Sequence, residues 1–208
     1  LDTHTAVWDW GDGTTSTGTV IESNGSGSVS DSHTYTAAGV YEITLTVTDN
    51  NNTSDTEVFQ YISVYSPTPQ GLFNGVRKFN SPAGAYPANP SLTGQVMFGI
   101  TAKYQGTTPI GDVSMDFNAA NFEFEATGIA TLVISNGNKA TLSGTGTVNG
   151  NSGYTFLVTG FDGGSGGDDY IRFQIKDTSD TIVFDSQPGA GDTVDPTALI
   201  TAGNVVIH

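Results

Sequence analysis

The feature that most constrains the fold is the segment Trp8-Asp9-Trp10-Gly11-Asp12-Gly13, close to the start of the chain. Side chains two residues apart lie on one face of a β-strand, so Trp8 and Trp10 share a face and Asp9 lies on the other. Asp12-Gly13 is a turn dipeptide, because glycine accepts positive φ and aspartate hydrogen-bonds its own backbone. The segment therefore predicts a strand that runs into a tight turn, with a sheet packed around the two indoles.

A second strand is predicted from Tyr41 onwards, where apolar residues alternate with Glu and Thr. Tyr41, Ile43, Leu45 and Val47 lie on one face of this strand. Such alternation is typical of a half-buried antiparallel strand. The chain then turns at residues 49–52 and returns as the next strand. Tyr41 occupies the position of a tyrosine corner in an immunoglobulin-like sandwich.

The remainder of the chain also has the pattern of strands. Residues 72–208 contain short alternating runs separated by turn residues, and no window has useful helical spacing. In one of these runs the alternation predicts that Arg172 and Lys176 face outwards. Residues 66–71 contain two prolines and predict an extended linker. We therefore predict an all-β chain with two β-sandwich domains in tandem, an immunoglobulin-like one at 1–65 and a jelly-roll-like one at 72–208.

The charge of the chain excludes some classes of partner. The sequence has 21 Asp and Glu against 6 Lys and Arg, a formal net charge of −15. Such a surface disfavours nucleic acids and anionic membranes, and it suits divalent cations. The sequence contains no cysteine, so we expect neither disulfides nor thiolate metal sites. No apolar run approaches the ~20 residues of a spanning helix, so no membrane insertion is predicted. No signal peptide begins the chain, and Leu1 in place of Met indicates a processed or truncated product.

A calcium site is the main hypothesis for a cofactor. Asp162, Asp168 and Asp169 surround a glycine-rich loop, and Ca²⁺ takes six to eight oxygen ligands, including backbone carbonyls. The alternative is a glycine-rich hairpin with solvated acids. An oxygen-rich loop at residues 49–55 is better explained as a plain turn. The pair Asp192 and Asp195 is a weaker third candidate.

No catalytic residue is predicted. Asp9 and Asp12 could form a carboxylate pair for glycoside hydrolysis, but roles in the turn and its hydrogen bonds explain them better. His4, His33 and His208 are scattered, and Ser and Asp are too plentiful for a triad to be inferred. His33 is interpreted as a structural hydrogen-bonding residue.

Aromatic side chains raise the question of carbohydrate binding. Tyr86 in a proline-rich loop, and Tyr104 or Tyr170 near strand ends, could stack on a sugar ring. Packing in the core or in turns is the alternative interpretation of these residues. Tyr86 is retained as a candidate ligand-binding residue.

Four motifs in order give a resemblance to a known family. They are Trp8 to Gly13, His33-Thr34-Tyr35, Gly39-Val40-Tyr41 and Leu45 to Asp49. Together they resemble the polycystic kidney disease (PKD) domain over residues 1–65. The residues that carry the motif are Trp8, Trp10, Asp12, Gly13, His33, Tyr35 and Tyr41. The resemblance implies a seven-stranded β-sandwich of the kind that serves as a spacer or adhesive module in secreted bacterial and archaeal proteins.

The chain departs from this family at its start. PKD domains normally have two strands before the tryptophan motif, whereas this sequence begins just ahead of it. A sandwich without these strands exposes unpaired backbone groups, which a strand from another chain could pair. This donor-strand hypothesis predicts that a strand of another chain pairs with the edge beside Trp8. It fails if that edge is paired by nothing or by residues of the same chain.

Residues 72–208 resemble the domain that ends many bacterial secreted proteins after their PKD repeats. Residues 81–87, 144–150, 168–176 and 205–208 carry this resemblance. It implies a carboxy-terminal position more than an activity, and it provides no catalytic residues.

These observations favour a non-enzymatic extracellular module with a structural or adhesive role. We expect it to be the carboxy-terminal part of a larger surface or secreted protein, and to bind other protein chains. Assembly into a filament by donor-strand exchange is a further hypothesis. The alternative is a carbohydrate-binding accessory module of a secreted hydrolase, whose partner would be a polysaccharide.

Overall fold

The computed structural model describes residues 3–64 and 71–208, and the chain divides into two compact units, residues 1–64 and 65–208. Residues 66–70 of the predicted linker lie outside the described residues. Among the described residues all regular structure is β-strand except one 3-10 turn, Asn118–Ala120. The all-β prediction is therefore confirmed. No helix among these residues has the length and apolarity needed to span a membrane.

The amino-terminal unit has six strands within its described residues. They are β1 (His4–Asp9), β2 (Thr15–Thr17), β3 (Thr19–Ser23), β4 (Ser26–Ser30), β5 (Gly39–Asp49) and β6 (Ser54–Val64). One antiparallel sheet has the order β2-β1-β5-β6, and β3 and β4 form a separate two-stranded sheet. The arrangement is consistent with an immunoglobulin-like sandwich whose second layer is the smaller one.

Strand register defines the two faces of the four-stranded sheet. Residues directly opposite each other on paired strands share a face. We call one the indole face, and its residues are Ala6, Trp8, Ile43, Leu45, Val47, Asp55, Glu57 and Phe59. We call the other the threonine face, and its residues are Thr5, Val7, Asp9, Thr44, Thr46, Thr48, Ser54, Thr56 and Val58.

The predicted open edge beside Trp8 does not exist. Trp8 lies opposite Ser16 of β2 on one side and opposite Leu45 of β5 on the other, so both sides of β1 are paired within the chain. The reason is the tight turn after Trp10, which reverses the chain so that Thr15–Thr17 returns along β1. The prediction was wrong at this position, and strand donation beside Trp8 is excluded. Among the described strands, β4 pairs only with β3, and β6 pairs only with β5.

The carboxy-terminal unit has ten strands. They are β7 (Leu72–Ser81), β8 (Gly94–Gln105), β9 (Thr108–Phe117), β10 (Phe122–Ser135), β11 (Lys139–Val148), β12 (Asn151–Phe161), β13 (Tyr170–Lys176), β14 (Ile182–Asp185), β15 (Ala198–Ala202) and β16 (Val206–Ile207). Their order is β12-β11-β10-β9-β8-β7-β15-β13-β14, with β16 beside β7. An additional pairing between β12 and β13 closes this order into a ring.

The sheet agrees with the prediction of a larger β-sandwich, but its connectivity differs from that of a jelly roll. From β7 to β13, strands consecutive in sequence are neighbours in the sheet, whereas a jelly roll has Greek-key crossings. Two-residue turns explain the difference: Asn149 and Gly150 both have positive φ, which is the turn that joins adjacent antiparallel strands. The unit is therefore an antiparallel meander that closes on itself.

Aromatic residues fill the interior of this closed sheet. Phe73, Phe79, Phe117, Phe124, Phe173 and Phe184 are fully buried. The ring of Phe173 lies 6.1 Å from that of Phe79 and 5.5 Å from that of Phe98, measured between centroids, so β13 shares one core with β7 and β8, strands with which it does not pair.

The first and last strands of the unit meet at its boundary. Leu72 donates its backbone N–H to the carbonyl of His208 at 3.0 Å, and His208 donates to the carbonyl of Leu72 at 3.1 Å. Residues 72 and 208 are therefore direct neighbours.

Candidate functional site

The tryptophan motif forms a column of stacked rings in the amino-terminal unit. Trp8 stacks on Trp10 with 5.5 Å between centroids, and Trp10 stacks on His33 at 4.9 Å. His33 meets Tyr35 edge to face at 4.6 Å, and Tyr35 stacks on Tyr41 at 4.4 Å. We call these five residues the aromatic column. The structure thus brings together five of the seven residues predicted to carry the motif.

Hydrogen bonds between the turn at Asp12-Gly13 and His33 hold the aromatic column in place. The Asp12 carboxylate lies 2.8 Å from His33 Nε2 and accepts bonds from the Thr14 backbone N–H and hydroxyl. The bonds from Thr14 and His33 hold the pKa of Asp12 below its usual value. Gly13 follows with a φ of +85°, which suits glycine in a tight turn. The Asp12 carboxylate is therefore engaged in holding the turn against His33.

The tyrosines of the column bond back to the main chain. Tyr35 donates its hydroxyl to the carbonyl of Trp10 at 2.9 Å, and Tyr41 donates to the carbonyl of Ala37 at 3.0 Å. The Tyr41 bond reaches four residues upstream, as in a tyrosine corner. Burial raises the pKa of both phenols. The column therefore functions as packing, with the hydroxyls of its two tyrosines directed to the backbone.

Asp9, the other member of the carboxylate pair weighed for glycoside hydrolysis, also serves the turn. Its Oδ1 accepts the Gly11 N–H at 2.9 Å. Asp9 and Asp12 thus both bond groups of their own turn, which agrees with the preferred interpretation from the sequence.

The indole face is only partly covered. Phe59 lies opposite Ile43 on this face and is 62% exposed. The β3–β4 hairpin meets the β1 side near Gly18, where a Cβ atom would lie 2.5 Å from the side chain of Val29 on β4 and 2.9 Å from Trp8 Nε1. Trp8 Nε1 is buried there without a hydrogen-bond partner among the described residues. Within this unit, Ala6 and Trp10 are the apolar residues that are buried among those described.

The three aspartates predicted to bind calcium are divided between two environments. Asp162 accepts the Gly164 N–H at 2.8 Å and the Ile207 N–H at 3.1 Å. Asp169, which is 6% exposed, accepts the Gly163 N–H at 2.9 Å and the Val205 N–H at 2.7 Å. Asp168 points to an exposed position. Asp162 and Asp169 therefore connect the last strand, and the residue just before it, to the glycine-rich loop.

A metal-ligand geometry is not assembled at these residues. Among the described residues, no group of three or more His, Cys, Asp or Glu side chains is arranged to hold a metal ion. The calcium site stays a prediction, which a melting experiment can test.

The other acidic candidates make local contacts. Asp49 accepts the N–H groups of Asn51 and Thr53 at 2.8 and 2.7 Å, as a turn residue does. Asp192 accepts a bond from Gln174 at 2.9 Å, and Asp195 lies 2.6 Å from the Lys139 ammonium.

Tyr86, the candidate sugar-binding residue, is half-buried. Its ring meets Phe117 and Phe122 edge to face, with centroids 6.4 and 5.8 Å away. Tyr104 donates its hydroxyl to the Leu132 carbonyl, and the ring centroid of Tyr170 lies 6.5 Å from that of Phe161. These contacts suit core packing, and carbohydrate binding through Tyr86 stays a prediction.

The side chain of Arg172 is buried in a hydrogen-bond network that the sequence did not predict. It lies on the face of β13 opposite to the core residues Ile171 and Phe173, as predicted, but it is covered there and only 1% exposed. Its Nε and Nη2 donate to the two oxygens of Asp185 at 3.0 and 2.8 Å. Nη2 also donates to the Ala190 carbonyl at 2.8 Å, and Nη1 donates to the Gly191 carbonyl at 2.5 Å. The loop after β14 thus covers the outer face of β13. The Arg172 guanidinium bonds both oxygens of the Asp185 carboxylate, and this pairing compensates for burying the charge.

The comparisons with known proteins concern the amino-terminal unit. No curated protein and no solved structure matches the chain. Residues 1–64 match the family model described as PKD domain, a span that coincides with the first compact unit. The stacked column and the match agree, and they support the conclusion that a PKD domain occupies the amino-terminal unit of this chain.

Proposed function

We propose that the chain is a non-catalytic structural or adhesive module of a surface or secreted protein. PKD domains are typical extracellular modules of this kind, and the match over residues 1–64 supports the same role here. The aromatic column also supports it, because the polar groups of His33, Tyr35 and Tyr41 are engaged with the turn and the backbone.

The observation that carries the proposal is the partly bare indole face. A sheet that buries little apolar surface gains stability when another surface covers it, at about 25 cal/mol per Å² of apolar area. Phe59 is 62% exposed although it shares a face with Trp8 and Leu45. Exposed apolar surface on a folded domain is typical of an interaction site. The proposed partner is a protein chain that covers this face.

Strand addition is the proposed mode of binding. Donation beside Trp8 is excluded, so the proposal assigns the added strand to β4, which pairs only with β3 among the described strands. An isolated two-stranded sheet is marginal in water, and a third strand would extend it. The donor could belong to a second copy of the chain, which would give a polymer.

Two neighbouring residues on β6 provide the test. Phe59 lies on the indole face and Val58, which is 46% exposed, lies on the threonine face. Light scattering coupled to gel filtration at rising concentration should show association of the parent chain. Phe59→Asp should abolish that association, because it puts a charge where apolar surface must be covered, and Val58→Asp should leave it unchanged.

A monomeric parent chain at all concentrations would overturn self-assembly. Equal loss of association in both variants would show that the indole face is not the contact surface.

A further inference from the structure

A shallow groove of about 420 Å³ crosses the outer face of the carboxy-terminal sheet over β7, β8, β9 and β10. Strand register puts Val76, Gly99, Ser114 and Glu125 in one row across these strands. The adjacent row is Lys78, Met97, Asp116 and Glu123. The groove follows these two rows because Gly99 leaves no side chain in the middle of the first.

The groove has an apolar notch at its centre. Val76 is 71% exposed and Met97 is 43% exposed, and they flank Gly99. A Cβ atom at Gly99 would lie 3.0 Å from the Ser114 hydroxyl and 4.0 Å from the side chain of Val76. We call Val76, Met97 and Gly99 the apolar notch. Exposed apolar side chains beside such a depression are suited to receive an apolar group.

One side of the groove is an acidic rim, formed by Asp116, Glu123 and Glu125. Asp116 lies directly opposite Glu123 on the paired strand, and like charges in that position destabilise a sheet. None of the three forms an ion pair with a described residue. Burial, together with Glu123 and Asp112, raises the pKa of Glu125. A cation at this rim would relieve the repulsion.

We propose that the groove binds a peptide segment of a basic partner protein. An apolar side chain of the segment enters the apolar notch, and a neighbouring lysine or arginine contacts the acidic rim. Lys78 lies at the β7 end of the second row, so it sets the direction by repelling the cationic end towards β10.

Charge selects this occupant over a second copy of the chain. The chain has 21 acidic residues and only 6 basic ones, so few of its own segments could bring a lysine or arginine to the acidic rim. Electrostatic complementarity favours a basic partner and speeds its encounter. The groove is a surface separate from the indole face and extends the proposed adhesive role, so either surface can fail without the other.

The test measures binding of a short capped peptide of alternating lysine and leucine by isothermal titration calorimetry with the full chain. Two control peptides replace all leucines by serine or all lysines by glutamate. The double variant Glu123→Gln/Glu125→Gln should bind the lysine–leucine peptide roughly tenfold more weakly, a loss of about 1.4 kcal/mol. Asp55→Asn/Glu57→Gln changes the net charge equally on exposed residues of β6 and should bind as the parent does. Val76→Ser should weaken binding without changing charge.

Four outcomes would overturn the proposal. Two concern the variants: both charge variants weaken binding of the lysine–leucine peptide equally, or Val76→Ser leaves that binding unchanged. Two concern the ligands: the lysine–serine peptide binds as tightly as the lysine–leucine peptide, or the acidic rim binds Mg²⁺ or Ca²⁺ while the peptide does not bind. Failure of the Phe59 variant to alter self-association would leave this result unaffected, so the two proposals are judged separately.

Discussion

The two units use similar strands, but they differ in how much of their apolar surface they bury. In the carboxy-terminal unit the strand order closes, and phenylalanines of strands that do not pair meet in one core. In the amino-terminal unit the second layer is a two-stranded sheet, and Phe59 remains 62% exposed. Alternation therefore predicts a strand, but only a second layer turns its apolar face into an interior.

The largest effect expected from this difference concerns two phenylalanines. Phe173→Ala should lower the free energy of unfolding of the carboxy-terminal unit by about 3–5 kcal/mol, because it leaves a cavity in a packed core. Phe59→Ala should change the free energy of unfolding of the amino-terminal unit by no more than about 0.5 kcal/mol, the usual range for a surface site. Urea denaturation followed by circular dichroism would measure both. A large loss with Phe59→Ala would show that its face is covered, and the contrast between the units would disappear.

A smaller effect is expected where acids fasten the last strand. Asp169→Asn should destabilise the carboxy-terminal unit by about 1–3 kcal/mol, because an amide cannot accept both backbone N–H groups that the carboxylate accepts. Asp168→Asn, at the exposed neighbour, is the matched control and should be nearly neutral. Equal effects of the two variants would contradict the structural role of Asp169.

The same unit allows a test of the calcium prediction. Bound Ca²⁺ would stabilise the folded state by mass action, so the melting temperature should fall when a chelator replaces calcium. Asp168→Asn should reduce that shift if Asp168 is a ligand. The same melting temperature in calcium and in chelator would remove the prediction.

The smallest effect is expected in the amino-terminal unit at acid pH. Asp12 has a lowered pKa in the folded state, so its contribution to stability is present above the unfolded value and is lost as pH falls through the folded one. Asp12→Asn should therefore be less stable than the parent at neutral pH, and the difference should shrink below about pH 4. Both tryptophans of the chain, Trp8 and Trp10, lie in this unit, so tryptophan fluorescence reports its unfolding alone.

Asp55→Asn on β6 is the control for the change in charge. A difference between parent and Asp12→Asn that does not depend on pH would show that the Asp12 carboxylate does not stabilise the fold through its ionised form.

Local patterns predicted the strands and the turn because those features depend on neighbouring residues. The strand with Trp8, the turn at Asp12-Gly13 and the alternation from Tyr41 each follow from side chains a few positions apart. The partner of each strand depends on distant residues. The pairing of β2 with β1 was therefore missed, and with it the fact that the edge beside Trp8 is closed.

Arg172 shows the same limit at the level of one side chain. An arginine between isoleucine and phenylalanine on a strand has the pattern of an outward residue. Its burial depends on Asp185 and on the carbonyls of residues 190 and 191, which reach it through a loop whose path no local pattern encodes. The acidic rim was missed for a similar reason, because Asp116 and Glu123 become neighbours only across two strands.

The reciprocal hydrogen bonds between Leu72 and His208 have a consequence for how this unit can be combined with other sequences. A domain whose entry and exit points are adjacent can be inserted into a surface loop of a host protein without stretching that loop. The same adjacency allows the two positions to be joined by a short peptide and the chain to be opened elsewhere, for example at the Asn149-Gly150 turn, with the strand pairing preserved.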